Sequence, residues 1–133
     1  MTAGLATLKK RADFLRIAAR RSRAVRPGFV LQAAPRPDSG EDDIIRIGFT
    51  ASRKVGNAVV RNRAKRRLRA ISAEILPRLG RRDMDYVLVA RGGTGERPYA
   101  ELLVDLESAL RQVHRPPRHR GVERSAVAQE VSA

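Results

Sequence analysis

The spacing of apolar residues along this chain changes from segment to segment, and each change predicts an element. Leu8, Ala12, Leu15 and Ala19 recur at helical spacing with Phe14 to one side, which predicts a short helix over residues 8–19. An arginine-rich stretch with Arg20, Arg21, Arg23 and Arg26 reads as a loop. Residues 28–34 alternate weakly, Phe29 and Leu31 facing one way and Val30 and Gln32 the other, as in a strand. A second strand is clearer, with Ile45, Ile47 and Phe49 on one face and Arg46, Gly48 and Thr50 on the other. Between the two lies PRPDSGEDD, with two prolines, one glycine and four acids, so a hairpin joined by an exposed loop is expected.

From residue 60 the period becomes helical. Val60, Ala64, Leu68, Ile71 and Ile75 fall within an arc of about 80° on a helical wheel, with Asn57 as the expected N-cap and Pro77 as the stop. A turn over residues 80–85 leads to YVLVA at 86–90, an apolar run short enough for a buried strand. Tyr99, Leu102, Leu103, Leu106, Leu110 and Val113 mark a final helix over residues 99–114. The expected order is helix, strand, strand, helix, strand, helix, an α+β chain folded as an α/β sandwich on one small sheet. Residues 1–114 are expected to form a single domain. Residues 115–133, RPPRHRGVERSAVAQEVSA, have prolines and no period, and are expected to be a disordered tail.

Charge changes the picture. The chain has 133 residues, with 28 Lys and Arg against 14 Asp and Glu, a formal net charge of +14. So large an excess implies a polyanionic partner, nucleic acid first. The excess is concentrated: residues 44–73 contain no acid, yet hold Arg46, Arg53, Lys54, Arg61, Arg63, Lys65, Arg66, Arg67 and Arg69. On the wheel, Asn62, Arg66 and Arg69 point away from the apolar stripe, and Arg63 and Lys65 flank it. One face packs while the other offers guanidinium forks, which grip two phosphate oxygens at once and stack on bases.

Other function classes fit less well. A membrane-surface helix would carry large apolar residues where this one has a narrow stripe of Val, Ala, Leu and Ile. The first residues, MTAGLATLKKR, lack the apolar core of a signal peptide, so cytoplasm is the expected compartment. The absence of cysteine excludes disulfides and cysteine-based zinc sites. Gly92, Gly93 and Gly95 lack the Lys-Ser/Thr ending of a phosphate-binding loop. A nuclease centre needs clustered carboxylates or a paired acid and base. The acids here, such as Asp42, Asp43, Asp83 and Asp85, read as solvated, and His114 and His119 lie at the end of the last helix and in the tail. No intrinsic catalysis is expected.

The run KVGNAVVRNRAKRRLR at residues 54–69 resembles the signature of the bacterial ribonuclease P protein family, its central Arg-Asn-Arg being Arg61-Asn62-Arg63. LKKRADFLRI, GFVLQA, IRIGFTASRK and DYVLVAR match the same family in the same order, so the similarity spans residues 8–115. The resemblance implies a sandwich like the second domain of ribosomal protein S5, with a left-handed βαβ crossover where a right-handed one is the rule. It implies a protein that binds a catalytic RNA and the 5′ leader of precursor tRNA, assisting endonucleolytic release of the mature 5′ end. Magnesium would be held mainly by the RNA subunit and substrate. By the same resemblance Arg61, Asn62, Arg63, Lys65, Arg66 and Arg69 would face the catalytic RNA, while Phe14, Phe29, Ser52, Lys54 and Arg91 would serve the leader. Ala18 and Gln32 stand where members of the family often carry aromatics, which would weaken leader stacking. The alternative is a non-catalytic ribosomal or RNA-chaperone-type protein. A DNA-binding module is the weaker third, with no helix-turn-helix spacing.

Overall fold

A computed structural model of the chain describes residues 4–38 and 42–115. In chain order the elements are β1 (Gly4–Thr7), α1 (Arg11–Ala19), β2 (Ser22–Arg26), β3 (Phe29–Pro35), β4 (Ile44–Thr50), α2 (Ala58–Leu79), β5 (Met84–Ala90) and α3 (Tyr99–His114). The strands form one sheet in the order β1-β4-β5-β3-β2. β4 runs parallel to both β1 and β5, whereas β3 is antiparallel to β5 and to β2.

The sheet buries its two faces unequally. Phe29, Leu31 and Ala33 of β3, Ile45 and Ile47 of β4, and Tyr86 and Leu88 of β5 face the main core. There they meet Ala64, Leu68, Ile71, Ile75 and Leu76 of α2 and Leu102, Leu106 and Leu110 of α3. The other face has only α1 over it, with a small cluster of Leu8, Ile17, Ala34 and Val87. Two helices cover one face and a nine-residue helix the other, so part of the second face stays open.

α2 begins as expected: the Asn57 side chain accepts from the Val60 amide at 3.0 Å. Just before it, Gly56 has φ +152°, and a Cβ there would lie 2.8 Å from Val60 Cγ1, so glycine is required. Val60 covers this turn and is 38% exposed, at the margin of the core stripe rather than in it. Pro77 does not stop the helix, which continues to Leu79 and closes with the Gly80 amide on Leu76 O at 2.8 Å. A proline three residues from the end forfeits only its own hydrogen bond, and the Ala73 carbonyl it leaves free belongs to an exposed residue.

Other expectations are corrected. α1 starts at Arg11, because Leu8 to Lys10 run on extended from β1; the Leu8 amide donates to Ile47 O at 2.9 Å and its side chain is buried. β1 was too short to read. The arginine-rich loop contains β2, in which only Ala24 turns fully inward. β3 and β4 do not form a hairpin: β5 lies between them, because α2 carries the chain back for parallel pairing with β4. The tail expectation concerns residues 115–133, of which all but Arg115 lie outside the described residues.

The acid-rich segment is not simply solvated. Arg36, 6% exposed, receives Asp38 on Nε and Nη2 and Asp42 on Nη1 and Nη2, and its Nη1 also donates to Ile44 O at 2.9 Å. Those bonds raise the Arg36 pKa and lower that of Asp42. Asp85 lies within β5 and is fully buried, accepting from Arg46 Nε at 2.8 Å and Nη2 at 2.7 Å and from Arg16 Nη2 at 2.5 Å. The end of α3 meets the sheet through Tyr86 and His114, whose hydroxyl and Nε2 are 2.6 Å apart. That hydroxyl also accepts from the Arg81 amide at 2.9 Å.

Two outcomes are expected. Leu68→Ala empties a fully buried position and should cost about 2–5 kcal/mol in urea unfolding. Burial lowers the His114 pKa below its unfolded value, which is about 6.5. The folded state therefore favours the neutral ring, and this contribution, complete above the unfolded pKa, is lost as pH falls through the folded one. Stability should decline as pH falls below about 6.5, and His114→Gln should remove that decline, read as Tm against pH.

Candidate nucleic-acid interface

Between α1 and the open part of the sheet lies a cleft of about 460 Å3. Its lining is Lys9, Arg11, Phe14, Leu15 and Ala18 from the α1 side, with Gln32, Phe49, Thr50, Val87 and Val89 from the strands. Strand alternation produces this wall: Gln32, Thr50, Val87 and Val89 occupy the positions opposite the main core. The Phe14 ring rests on Gly48, where a Cβ would come within 2.6 Å of it. Phe14 is thus half-buried, with one side against the sheet and the rest lining the cleft. An apolar floor with Lys9 and Arg11 at its rim can hold a flat base and attract a phosphate.

At the far end of β4 the chain leaves the cleft through Ser52, a 3-10 turn at Arg53–Val55, and Gly56, and enters α2. Ser52, Arg53 and Lys54 are all exposed here. Along α2, Asn62, Arg63, Arg66 and Arg69 are exposed, and Arg61 and Lys65 half-buried. Among the described residues none of these cations has an ion-pair partner. Arg61 Nε is buried and has no acceptor there either. Arg69 lies over Phe49, 5.4 Å from the ring centroid, joining the helix face to the cleft wall.

The expected site residues therefore fall into two groups and two exceptions. Arg61, Asn62, Arg63, Lys65, Arg66 and Arg69 lie together on one helix, continuous with Ser52 and Lys54. Phe14 lines the cleft. Phe29 does not: its ring is fully buried on the opposite face among Leu31 and Leu88, and offers no surface for stacking. Arg91 is exposed beyond the end of β5, where its Nη1 donates to Arg26 O at 2.7 Å, and it does not line the cleft. Ala18 and Gln32, the positions without aromatics, do line it. Lys9 and Arg11 carry no periodic signal in the sequence, and the fold, which carries residues 8–10 along β4, brings them to the rim.

The family model for ribonuclease P matches residues 3–114, covering the cleft and the whole basic helix. The chain belongs to the ribonuclease P protein family. Among its relatives in that family, the ribonuclease P protein component of Paramagnetospirillum magneticum is 53% identical over 116 residues, 85% of this chain and 86% of that protein. That of Ruegeria pomeroyi is 49% identical, covering 86% of this chain and 91% of the relative. A solved structure of the Staphylococcus aureus ribonuclease P protein aligns with TM-score 0.64 and 28% identity over 79% of this chain and 92% of the other. The Thermotoga maritima protein aligns with TM-score 0.65 over 84% and 99%, and at 22% identity speaks for the fold.

No group of three or more His, Asp or Glu side chains among the described residues is placed to hold a metal ion. The acids are engaged elsewhere, Asp42 with Arg36, Asp43 with Arg82, Asp83 with Arg81 and Asp85 with Arg46. The Arg81 hydrogen bond also lowers the Asp83 pKa, holding it as an anion. No helix among the described residues is long and apolar enough to cross a membrane.

Proposed function

We propose that this chain is the protein subunit of a ribonuclease P ribonucleoprotein, in which the α2 face binds the RNA subunit and the α1 cleft holds the 5′ leader of precursor tRNA. The reading rests on one observation within the family assignment: among the described residues the cations of the first turns of α2 have no acid partner, whereas Arg36, Arg46, Arg81, Arg82 and Arg97 are each matched to one. An uncompensated row of guanidinium groups on a rigid helix is a surface for a folded polyanion. The cleft, with an apolar floor and a basic rim, suits a single strand.

In this reading the protein supplies binding and orientation. Arg63 and Arg66 neutralise phosphates of the RNA subunit, Phe14 stacks under a leader base, and Lys54 holds a leader phosphate where β4 passes into α2. Screening the repulsion between two RNAs lowers the magnesium needed to bring them together. The ions belong to RNA and substrate in this reading, with Asp42, Asp43, Asp83 and Asp85 of this chain turned to arginines. A bacterial cytoplasm, where transcription supplies precursor tRNA, is the compartment this reading assigns.

The deciding experiment is cleavage of a 5′-labelled precursor tRNA by bacterial ribonuclease P RNA at low magnesium, with and without the protein. Stimulated cleavage at the mature 5′ end, absent with protein alone, is expected. A folded protein that binds RNA without stimulating would instead be a ribosomal or chaperone-type RNA binder.

Two sets of variants separate the surfaces. Arg63→Ala or Arg66→Ala should weaken assembly with the RNA subunit and flatten the slope of log affinity on log salt by roughly 0.7–0.9. An unchanged slope in both would remove α2 from the interface. Phe14→Ala and Lys54→Ala should lower affinity for leader-bearing tRNA, Phe14→Ala by about 1–3 kcal/mol, and spare mature tRNA. Equal losses for the two ligands would contradict the leader assignment.

A further inference from the structure

Arg67 stands inside the basic run of α2 but is oriented unlike its neighbours. Its Nη1 donates to Thr94 O and its Nη2 to Arg97 O, both at 2.7 Å. The fork is spent on the main chain of the loop that joins β5 to α3. Thr94 is fully buried; its hydroxyl accepts from the Arg91 amide at 2.8 Å and lies 2.7 Å from Gly28 O, to which it can donate. Arg97 Nε donates to Asp105 Oδ2 of α3 at 2.6 Å. The loop is thus tied to α2, to the β2–β3 turn and to α3, and Arg67 makes the link to α2.

The outer side of the same loop is bare. Gly92 and Gly93 are exposed, and among the described residues the amides of Gly92, Gly93 and Gly95 donate no hydrogen bond. A Cβ on Gly95 would lie 4.0 Å from Arg63 Nε, and one on Gly92 would meet nothing within 4 Å. Uncommitted main-chain donors, with no side chains over them, therefore stand next to an unpaired arginine. Such amides accept anionic oxygens, and glycine lets another backbone approach closely.

We propose that the loop over residues 91–97 is a second element of the RNA-binding face, contacting the phosphodiester backbone beside Arg63, and that Arg67 is its positioning residue. Arg67 docks the loop and makes no RNA contact itself. This rests on the reading that α2 binds the RNA subunit.

The test titrates the full chain against ribonuclease P RNA over a range of salt, with Arg63→Ala, Arg67→Ala, Thr94→Val and Gly92→Glu, each checked for folding by thermal melting. Arg67→Ala loses a charge and Thr94→Val does not, yet both should weaken binding by a similar factor, roughly tenfold. Both should keep the wild-type salt slope, whereas Arg63→Ala flattens it. Gly92→Glu, entering open space, should fold normally and weaken binding roughly fivefold. Hydrogen exchange on the wild type should show RNA protecting the amides of Gly92, Gly93 and Gly95, a readout independent of any variant's stability.

Unprotected loop amides together with wild-type binding by Gly92→Glu would overturn the proposal. So would a slope in Arg67→Ala as flat as in Arg63→Ala with Thr94→Val unaffected, since Arg67 would then be a phosphate contact. If Arg63→Ala binds like the wild type, the assignment of α2 fails first, and the loop proposal falls with it.

Discussion

A carboxylate with no access to water holds the open face of this molecule together. Asp85 sits inside β5, fully buried, between guanidinium groups from β4 and α1. Burying a carboxylate there without partners would be costly. Arg46 and Arg16 offset that cost, and each keeps part of its own surface in solvent. α1 needs this anchor, since nine residues are too few for a stable isolated helix, and only Ile17 among them is fully enclosed. Arg16 also donates to Pro35 O, so one flank of the helix is tied to β3 and β5. Away from that flank the Phe14 ring lies on Gly48 and the cleft opens.

The same economy of charge shapes the rest of the surface. Arg36, Arg81, Arg82 and Arg97 each face at least one acid, and all four lie outside α2. In α2 the salt-bridged arginine is Arg78, in the last turn, with Glu107 at 3.9 Å. A net charge of +14 would be a weak guide if spread evenly. The six Lys and Arg between Arg61 and Arg69, with no acid among them on the first turns of one helix, make part of it a directional feature. Repulsion within that row is screened by water and salt while it stays free, and relieved once a polyanion lies on it.

How much of this was legible depended on whether a local period carried it. The final helix was readable to its ends, because six apolar residues at helical spacing define one face and Pro98 precedes it. β4 was readable because Ile45, Ile47 and Phe49 alternate with Arg46, Gly48 and Thr50. β2 was not, since an edge strand with two arginines, an exposed Val25 and Ala24 as its fully buried residue has the composition of a loop. Strand order was hidden for another reason: the parallel return through α2 sets β5 between two strands that are neighbours in sequence, and nothing local records it. Phe29 is the instructive case. Alternation placed it with Leu31 and opposite Gln32, and that is its position; the family resemblance had set it in the cleft, where Gln32 is found instead.

That strand order also decides how the cleft and the basic helix relate. Because β4 pairs with β5 directly and α2 spans the connection, the cleft floor and the basic helix are separated along the chain by only residues 51–57. Phe49 belongs to both: it is among the residues lining the cleft, and its ring packs against the main core under the Arg69 guanidinium. A strand in the cleft and an RNA on α2 would therefore touch neighbouring atoms of one packed unit. Gly56, with a backbone conformation closed to other residues, fixes the turn between them. The angle between the surfaces is set by covalent structure and packing, so a polyanion aligned on the helix also aligns the cleft.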